Sequence, residues 1–124
     1  MSNIAQMEDN IRTMTAFREF NEKDLATVRK AVDIMNEAGT IGCTNCAYCT
    51  KVCPMNIGIN EFFRAYNERF IYNNPDKGNK YYDRAISEGK NPASQCIQCA
   101  SCEGACPQHL PIISLLEQCR ALED

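Results

Sequence analysis

The sequence predicts an all-α fold in which helices surround two cysteine-rich loops. Three observations carry this. Apolar residues recur at steps of three and four along several segments, as on a helix with one buried face. Only three valines occur and no stretch alternates polar with apolar residues, which leaves little material for a sheet. The nine cysteines fall mostly in two tight runs that interrupt the helical pattern.

Taken in order, residues 3–14 place Ile4, Met7, Ile11 and Met14 on one stripe, and Asn3 followed by Gln6 resembles a capping box. A connector, 15–20, carries Phe17 and Phe20. Asn21 with Asp24 opens a second helix whose Leu25, Val28, Val32 and Met35 share a face, and Gly39 stops it. After the first cysteine run Pro54 blocks continuation. Residues 60–73 then read as a third helix bearing Phe62, Phe63, Tyr66 and Phe70, ended by Asn73-Asn74-Pro75. A fourth spans 77–88 with Tyr81, Tyr82, Ala85 and Ile86 as its apolar side and Gly89 as its stop. Beyond the second run, Pro111 at the first helical position opens a last helix with Ile112, Leu115, Leu116, Cys119 and Leu122. Each half therefore repeats one design: a cysteine run ending in Cys-Pro, a short polar stretch and an amphipathic helix.

A chain of 124 residues supports one core. Apolar residues at 44% and a net charge of −3 argue against disorder. Thirteen basic residues scattered among sixteen acidic ones do not make a nucleic-acid surface. There is no apolar run long enough to span a membrane and no basic-then-apolar start, so the expectation is a soluble, cytoplasmic chain. In a reducing compartment an odd number of cysteines fits disulfides poorly, and metal ligation becomes the leading occupation.

The first run is Cys43, Cys46, Cys49 and Cys53 followed by Pro54; the second is Cys96, Cys99, Cys102 and Cys106 followed by Pro107. Both have the form C-x2-C-x2-C-x3-C-P, the bacterial iron–sulfur spacing. Three cysteines two residues apart let one tight loop wrap three corners of a cubane. The fourth, displaced and followed by proline, is directed elsewhere, and in two-cluster proteins it ligates the other cluster. The expected ligands are thus Cys43, Cys46, Cys49 and Cys106 for one 4Fe–4S cluster, and Cys96, Cys99, Cys102 and Cys53 for the second. Structural zinc is the main rival, but it favours paired knuckles over triplets with a remote fourth ligand. A Rieske-type site needs two histidines, and the chain has one.

Cys119 lies on an apolar stripe and reads as a small buried hydrophobe. His109 reads as a surface or capping residue, with a hydrogen bond toward a cluster as the alternative. Tyr48, Tyr81 and Tyr82 read as packing. A fully cysteine-ligated cubane offers no open coordination site, so the chemistry implied is one-electron transfer. No Ser/His/Asp set, Gly-rich phosphate loop or HExxH appears, and the chain by itself reads as an electron carrier and not an enzyme. Negative charge on the clusters would favour basic docking partners.

The long helical segment between the runs, 54–95, resembles the α-helical ferredoxin fold of the iron–sulfur subunits of succinate dehydrogenase and fumarate reductase, over about 21–124. A narrower resemblance extends to the start. Residues 1–10 look like the last barrel helix of an aldo/keto reductase. The stretches 43–49, 60–67 and 106–112 are similar to the ferredoxin-type domain that follows the barrel in bacterial and archaeal members. The resemblance implies two parts, 1–20 as a helix and connector from the barrel and 21–124 as a dicluster iron–sulfur domain. It also implies Ser2, Gln6, Asp9 and Asn10 as contacts to the adenosine phosphate of NADP, with Gln6 replacing the usual arginine. The family's catalytic Tyr, Lys, Asp and His have no counterpart here, so the chain would be the C-terminal piece of a larger oxidoreductase, partnered by a redox protein or by a covalently attached NADP-dependent reductase domain. The alternatives are a free-standing dicluster ferredoxin or electron-transfer subunit and, more distantly, a structural zinc-binding interaction module.

Overall fold

The computed structural model describes Met1–Asp124 and is all-helical, without a strand. The main helices are α1 (Ile4–Thr15), α2 (Glu22–Glu37), α3 (Tyr48–Lys51), α4 (Ile59–Tyr66), α5 (Pro75–Ser87), α6 (Ser101–Gly104) and α7 (Ile112–Cys119). A π-helical turn, Asn67–Ile71, continues α4, and short 3-10 turns sit at Ala93–Gln95 and Arg120–Leu122. The chain divides into two compact units, Met1–Asn36 and Glu37–Asp124. No helix is long and apolar enough to cross a membrane.

In the first unit α1 starts where its cap dictates. Asn3 Oδ1 accepts the Gln6 N–H at 2.9 Å, and Gln6 Oε1 returns to the Ser2 N–H at 2.7 Å, one residue upstream of a standard capping box. Asn21 caps α2 by accepting the N–H groups of Lys23 and Asp24. Neither helix buries a residue: Ile4, Met7, Ile11 and Met14 on α1, and Leu25, Val28, Val32 and Met35 on α2, are exposed. The periodicity that marks them as helices is there without the burial that usually accompanies it.

The second unit holds the core. Phe62 and Phe63 from α4 and Ile112, Leu116 and Cys119 from α7 are fully buried, joined by Ile57 and Ile59. Phe62 meets Tyr82 of α5 with ring centroids 5.1 Å apart. On α5 Ala85 is buried while Ile86 is exposed and Tyr81 and Tyr82 are half-buried, so the apolar side is narrower than expected. Likewise α4 ends at Tyr66, and the π-helical turn that follows rotates the stripe, leaving Phe70 exposed. Pro111 stands at the N-cap of α7, not at the first helical position, with its carbonyl accepting the Leu115 N–H at 3.1 Å. The short α3 and α6 are too brief for any periodicity to announce.

Gly78 is where α5 crosses the end of α4 most closely. A Cβ there would stand 2.7 Å from Arg69 Cβ and 2.9 Å from both the Ala65 carbonyl oxygen and the Arg69 nitrogen. Alanine gains about 1 kcal/mol in helix propensity. Overpacking against atoms that cannot swing aside costs about 1–3 kcal/mol, so the clash wins. Gly78→Ala is therefore expected to lose helical circular dichroism at a lower urea concentration than the parent.

Candidate metal centre

The two cysteine runs fold as near copies of each other. Left-handed backbone at Asn45 (φ 59), Ala47 (φ 61) and Asn56 (φ 48) recurs at the equivalent Gln98 (φ 56), Ala100 (φ 61) and His109 (φ 51). None of these is glycine; Asn45 and Asn56 are of a type that enters this region readily, while an alanine such as Ala47 or Ala100 does so at a cost on the order of 1–2 kcal/mol. The conformation turns each loop back on itself. The N–H of Asn45 donates to Cys43 Sγ at 3.4 Å, and that of Gln98 donates to Cys96 Sγ at the same distance. After its second left-handed residue each loop enters a four-residue helix, α3 or α6, which carries the third cysteine inward: Cys49 and Cys102 are buried while Cys46 and Cys99 are exposed.

The thiols gather in two sets. Cys43, Cys46, Cys49 and Cys106 line one small cavity, walled by Phe63, Leu110 and Ile112. Cys53, Cys96, Cys99 and Cys102 line another, walled by Met55, Ile57, Ile59, Ile113 and Leu116. The fourth cysteine of each run is thus beside the other run. Cys119 joins neither set and is fully buried in the core. No three His, Cys, Asp or Glu side chains converge where a single ion would sit. Thiols spread around a small apolar void suit a multi-iron cube better than one tetrahedral zinc, which draws its sulfurs to about 2.3 Å.

Local bonds explain why each run reaches across. Asn91 Nδ2 donates to the Met55 carbonyl at 2.8 Å, and its N–H donates to the Asn56 carbonyl at 3.1 Å. Asn56 Nδ2 in turn donates to the Gly89 carbonyl at 2.9 Å, and its Oδ1 accepts from Lys90 Nζ at 2.9 Å. This seam, marked by an isolated parallel bridge between Ile57 and Asn91, holds the segment after Cys53 beside the segment that leads into Cys96. Ahead of the first run, Asn67 brackets Ile41, accepting its N–H and donating to its carbonyl, both at 2.9 Å. Glu103 of α6 accepts the Ile113 N–H at 2.9 Å and ties the second loop to α7.

Burial pushes the Cys43 and Cys49 thiols up, and takes Cys102 to about 11. Cys99 goes the other way, held down first by the Ser101 N–H and then by its hydroxyl. Thiols that burial keeps protonated at neutral pH must lose their protons to ligate metal, so metal binding here would release protons. Burial alone lifts Cys119 to about 12.

The other residues singled out from the sequence are less central. His109 is exposed, and its N–H donates to the Cys106 carbonyl at 3.1 Å. Tyr48 is exposed with Lys51 Nζ 5.9 Å from its ring, and Tyr81 lies under the Arg64 guanidinium at 4.0 Å. Ser2, Gln6, Asp9 and Asn10 are all exposed, and Ser2 and Gln6 bond to each other. Sequence reasoning missed Asn60, Asn91 and Glu103. Asn60, read as a helix start, lies inside the first turn of α4 and is buried. A lone amide between Ile57, Ile59, Phe62 and Phe63 was the available signal.

A family model described as a 4Fe-4S dicluster domain matches residues 42–111. Among curated proteins, the chain is 26% identical over 76 residues to the C component of an ion-translocating oxidoreductase complex from Buchnera aphidicola subsp. Acyrthosiphon pisum. That match covers 61% of this chain and 13% of the relative, so the chain spans only a small part of that protein's length. No solved structure matches the chain significantly.

Two outcomes test the geometry. Asn91→Ala removes the side-chain bond to Met55, worth about 1 kcal/mol, and is expected to speed iron loss from one half of the bound iron when a chelator is added. Cys119 is expected to resist iodoacetamide in the folded protein at pH 8 and to react once the chain is unfolded.

Proposed function

This chain belongs to the family of 4Fe–4S dicluster domains, and from that premise we propose that Cys43, Cys46, Cys49 and Cys106 hold one cluster while Cys53, Cys96, Cys99 and Cys102 hold the other. The make-up of the two cavities is the observation that carries this reading, since each collects four thiols from both runs. Such clusters supply one-electron redox chemistry with every iron already ligated by cysteine. The protein's part is to bind them, keep water off them and tune them. Phe63, Leu110 and Ile112 on one side, and Met55, Ile57 and Leu116 on the other, keep the walls apolar. The N–H groups of Asn45 and Gln98 donate to cysteine sulfur. Cys46 and Cys99 are the most exposed thiols, so electrons enter and leave along those edges.

The finer context is that of a ferredoxin domain attached C-terminally to an aldo/keto reductase barrel in the cytoplasm, with 1–20 as the barrel's helix and connector and 21–124 as the dicluster domain. The motifs at 1–10, 43–49, 60–67 and 106–112 support it. So does the capped helix α1, whose apolar stripe is exposed as a barrel helix separated from its barrel would be. A second reading is an electron-transfer subunit docking on separate redox proteins. It is favoured by the relative, which is named as a subunit of an oxidoreductase complex.

Anaerobically reconstituted protein is expected to hold about eight irons and eight sulfides per chain and to bleach on reduction. Cys53→Ser is expected to lose the same EPR signal as Cys99→Ser, while Cys46→Ser removes the other. Shared loss between Cys53→Ser and Cys46→Ser would disprove the crossed ligation. For the context, an in-frame transcript extending upstream of Met1 and reduction by NADPH only in the extended product support the barrel reading. Co-purification of this chain, unextended, with other redox subunits supports the second.

A further inference from the structure

Asn60 is the one polar residue buried in the core, at 4% exposure. Its side chain uses both ends. Nδ2 donates to Asn45 Oδ1 at 2.6 Å, and Oδ1 accepts from Thr50 Oγ1 at 2.7 Å. Asn45 is the left-handed residue between Cys43 and Cys46, and its N–H donates to Cys43 Sγ. Thr50 directly follows Cys49 in α3. One buried amide therefore grips the first loop on both flanks.

The second loop has only one of these two ties. The position matching Asn60 is Ile113, whose side chain cannot hydrogen-bond, and the residue matching Asn45 is Gln98, whose side chain makes no hydrogen bond. There the tie runs from the Glu103 carboxylate to the Ile113 N–H and never reaches the left-handed residue. A polar group in the core is unfavourable without hydrogen-bond partners, with about 1–3 kcal/mol at stake when they are removed. Asn60 has one partner at each end of its amide and uses one of them to hold a left-handed residue.

We propose that Asn60 is a positioning residue for the first cluster: by holding Asn45 in its left-handed conformation it locks the N–H on Cys43 sulfur, and so makes the two clusters inequivalent. This rests on the reading that Cys43 ligates the first cluster. A fixed N–H···S bond favours the more negative, reduced state and raises the potential. It also keeps the loop closed around its iron. The second loop, with the same backbone bond but no anchor on Gln98, holds its own N–H less firmly.

The test is an anaerobic redox titration of the loaded protein followed by EPR, with the first cluster's signal assigned as the one lost in Cys46→Ser. Asn60→Leu and Asn45→Ala are expected to lower that signal's midpoint potential by equal amounts. The double variant should add nothing, and the second signal should stay put. Iron should leave the first cluster roughly tenfold faster in either variant, from the loss of one buried bond. Asn45 is exposed, so its replacement takes no packing out of the core and costs only the bond from Asn60 Nδ2, which keeps the test open if Asn60→Leu loads poorly. Full iron content with an unmoved first potential in Asn45→Ala overturns the proposal. So does a shift in Asn60→Leu that Asn45→Ala does not share, because packing alone would then explain it. A Cys43→Ser variant that retains the first signal also overturns it, through the ligand reading and not through Asn60.

Discussion

Neither cysteine-lined cavity can be closed by one half of the chain. Each takes three thiols from one run and the fourth from the other, so the loops must be brought side by side before either void has four walls. Much else in the cysteine-bearing unit serves that requirement. The Asn91 seam holds the first run's tail against the second run's entry, and Glu103 fastens α6 to α7. Phe62 packs on Tyr82 of α5, and Phe63 walls the first cavity beside Ile112 of α7. With apolar residues gathered around two voids, the core is thin, and binding a cluster in each void becomes part of the folding free energy.

Repetition makes the comparison between halves informative. Backbone angles, loop hydrogen bonds and helix starts match from one run to the other, because two identical cysteine spacings impose one loop geometry. The side chains that secure those loops do not match. A neutral amide and hydroxyl do the work in the first half, and a carboxylate on a helix N–H does it in the second. Shared backbone with unlike anchors is how one motif used twice can give two different redox centres. Between clusters with the same four cysteine ligands, hydrogen bonding to sulfur and solvent exposure are what tune the potential.

The unit Met1–Asn36 obeys a different rule. Its helices are capped and amphipathic, yet both apolar stripes are exposed, together with Phe17 and Phe20. Capping and periodicity act within a few residues and form a helix locally. Covering a stripe requires another surface, which these residues do not supply to each other.

How much could be read in advance follows from the range of each interaction. The cysteine spacing and the Cys-Pro ends were enough to specify the kind of cofactor, and apolar periodicity with few valines the all-helical frame, since a cubane's corners and a helix's turn are local distances. The caps at Asn3 and Asn21 and the stops at Gly39 (φ 70) and Gly89 (φ 83) were legible for the same reason. Burial was not. Ile86, Phe70 and the stripes of α1 and α2 carry the right period and stay exposed, because which face is covered depends on neighbours distant in sequence. Asn60, Asn91 and Glu103 likewise owe their roles to partners that only the folded chain brings within 3 Å. Sequence alone determined what the chain can ligate and where it coils. Tertiary structure decided which polar groups hold the two loops and how differently they hold them, since a hydrogen bond across the fold leaves no periodic trace along the chain.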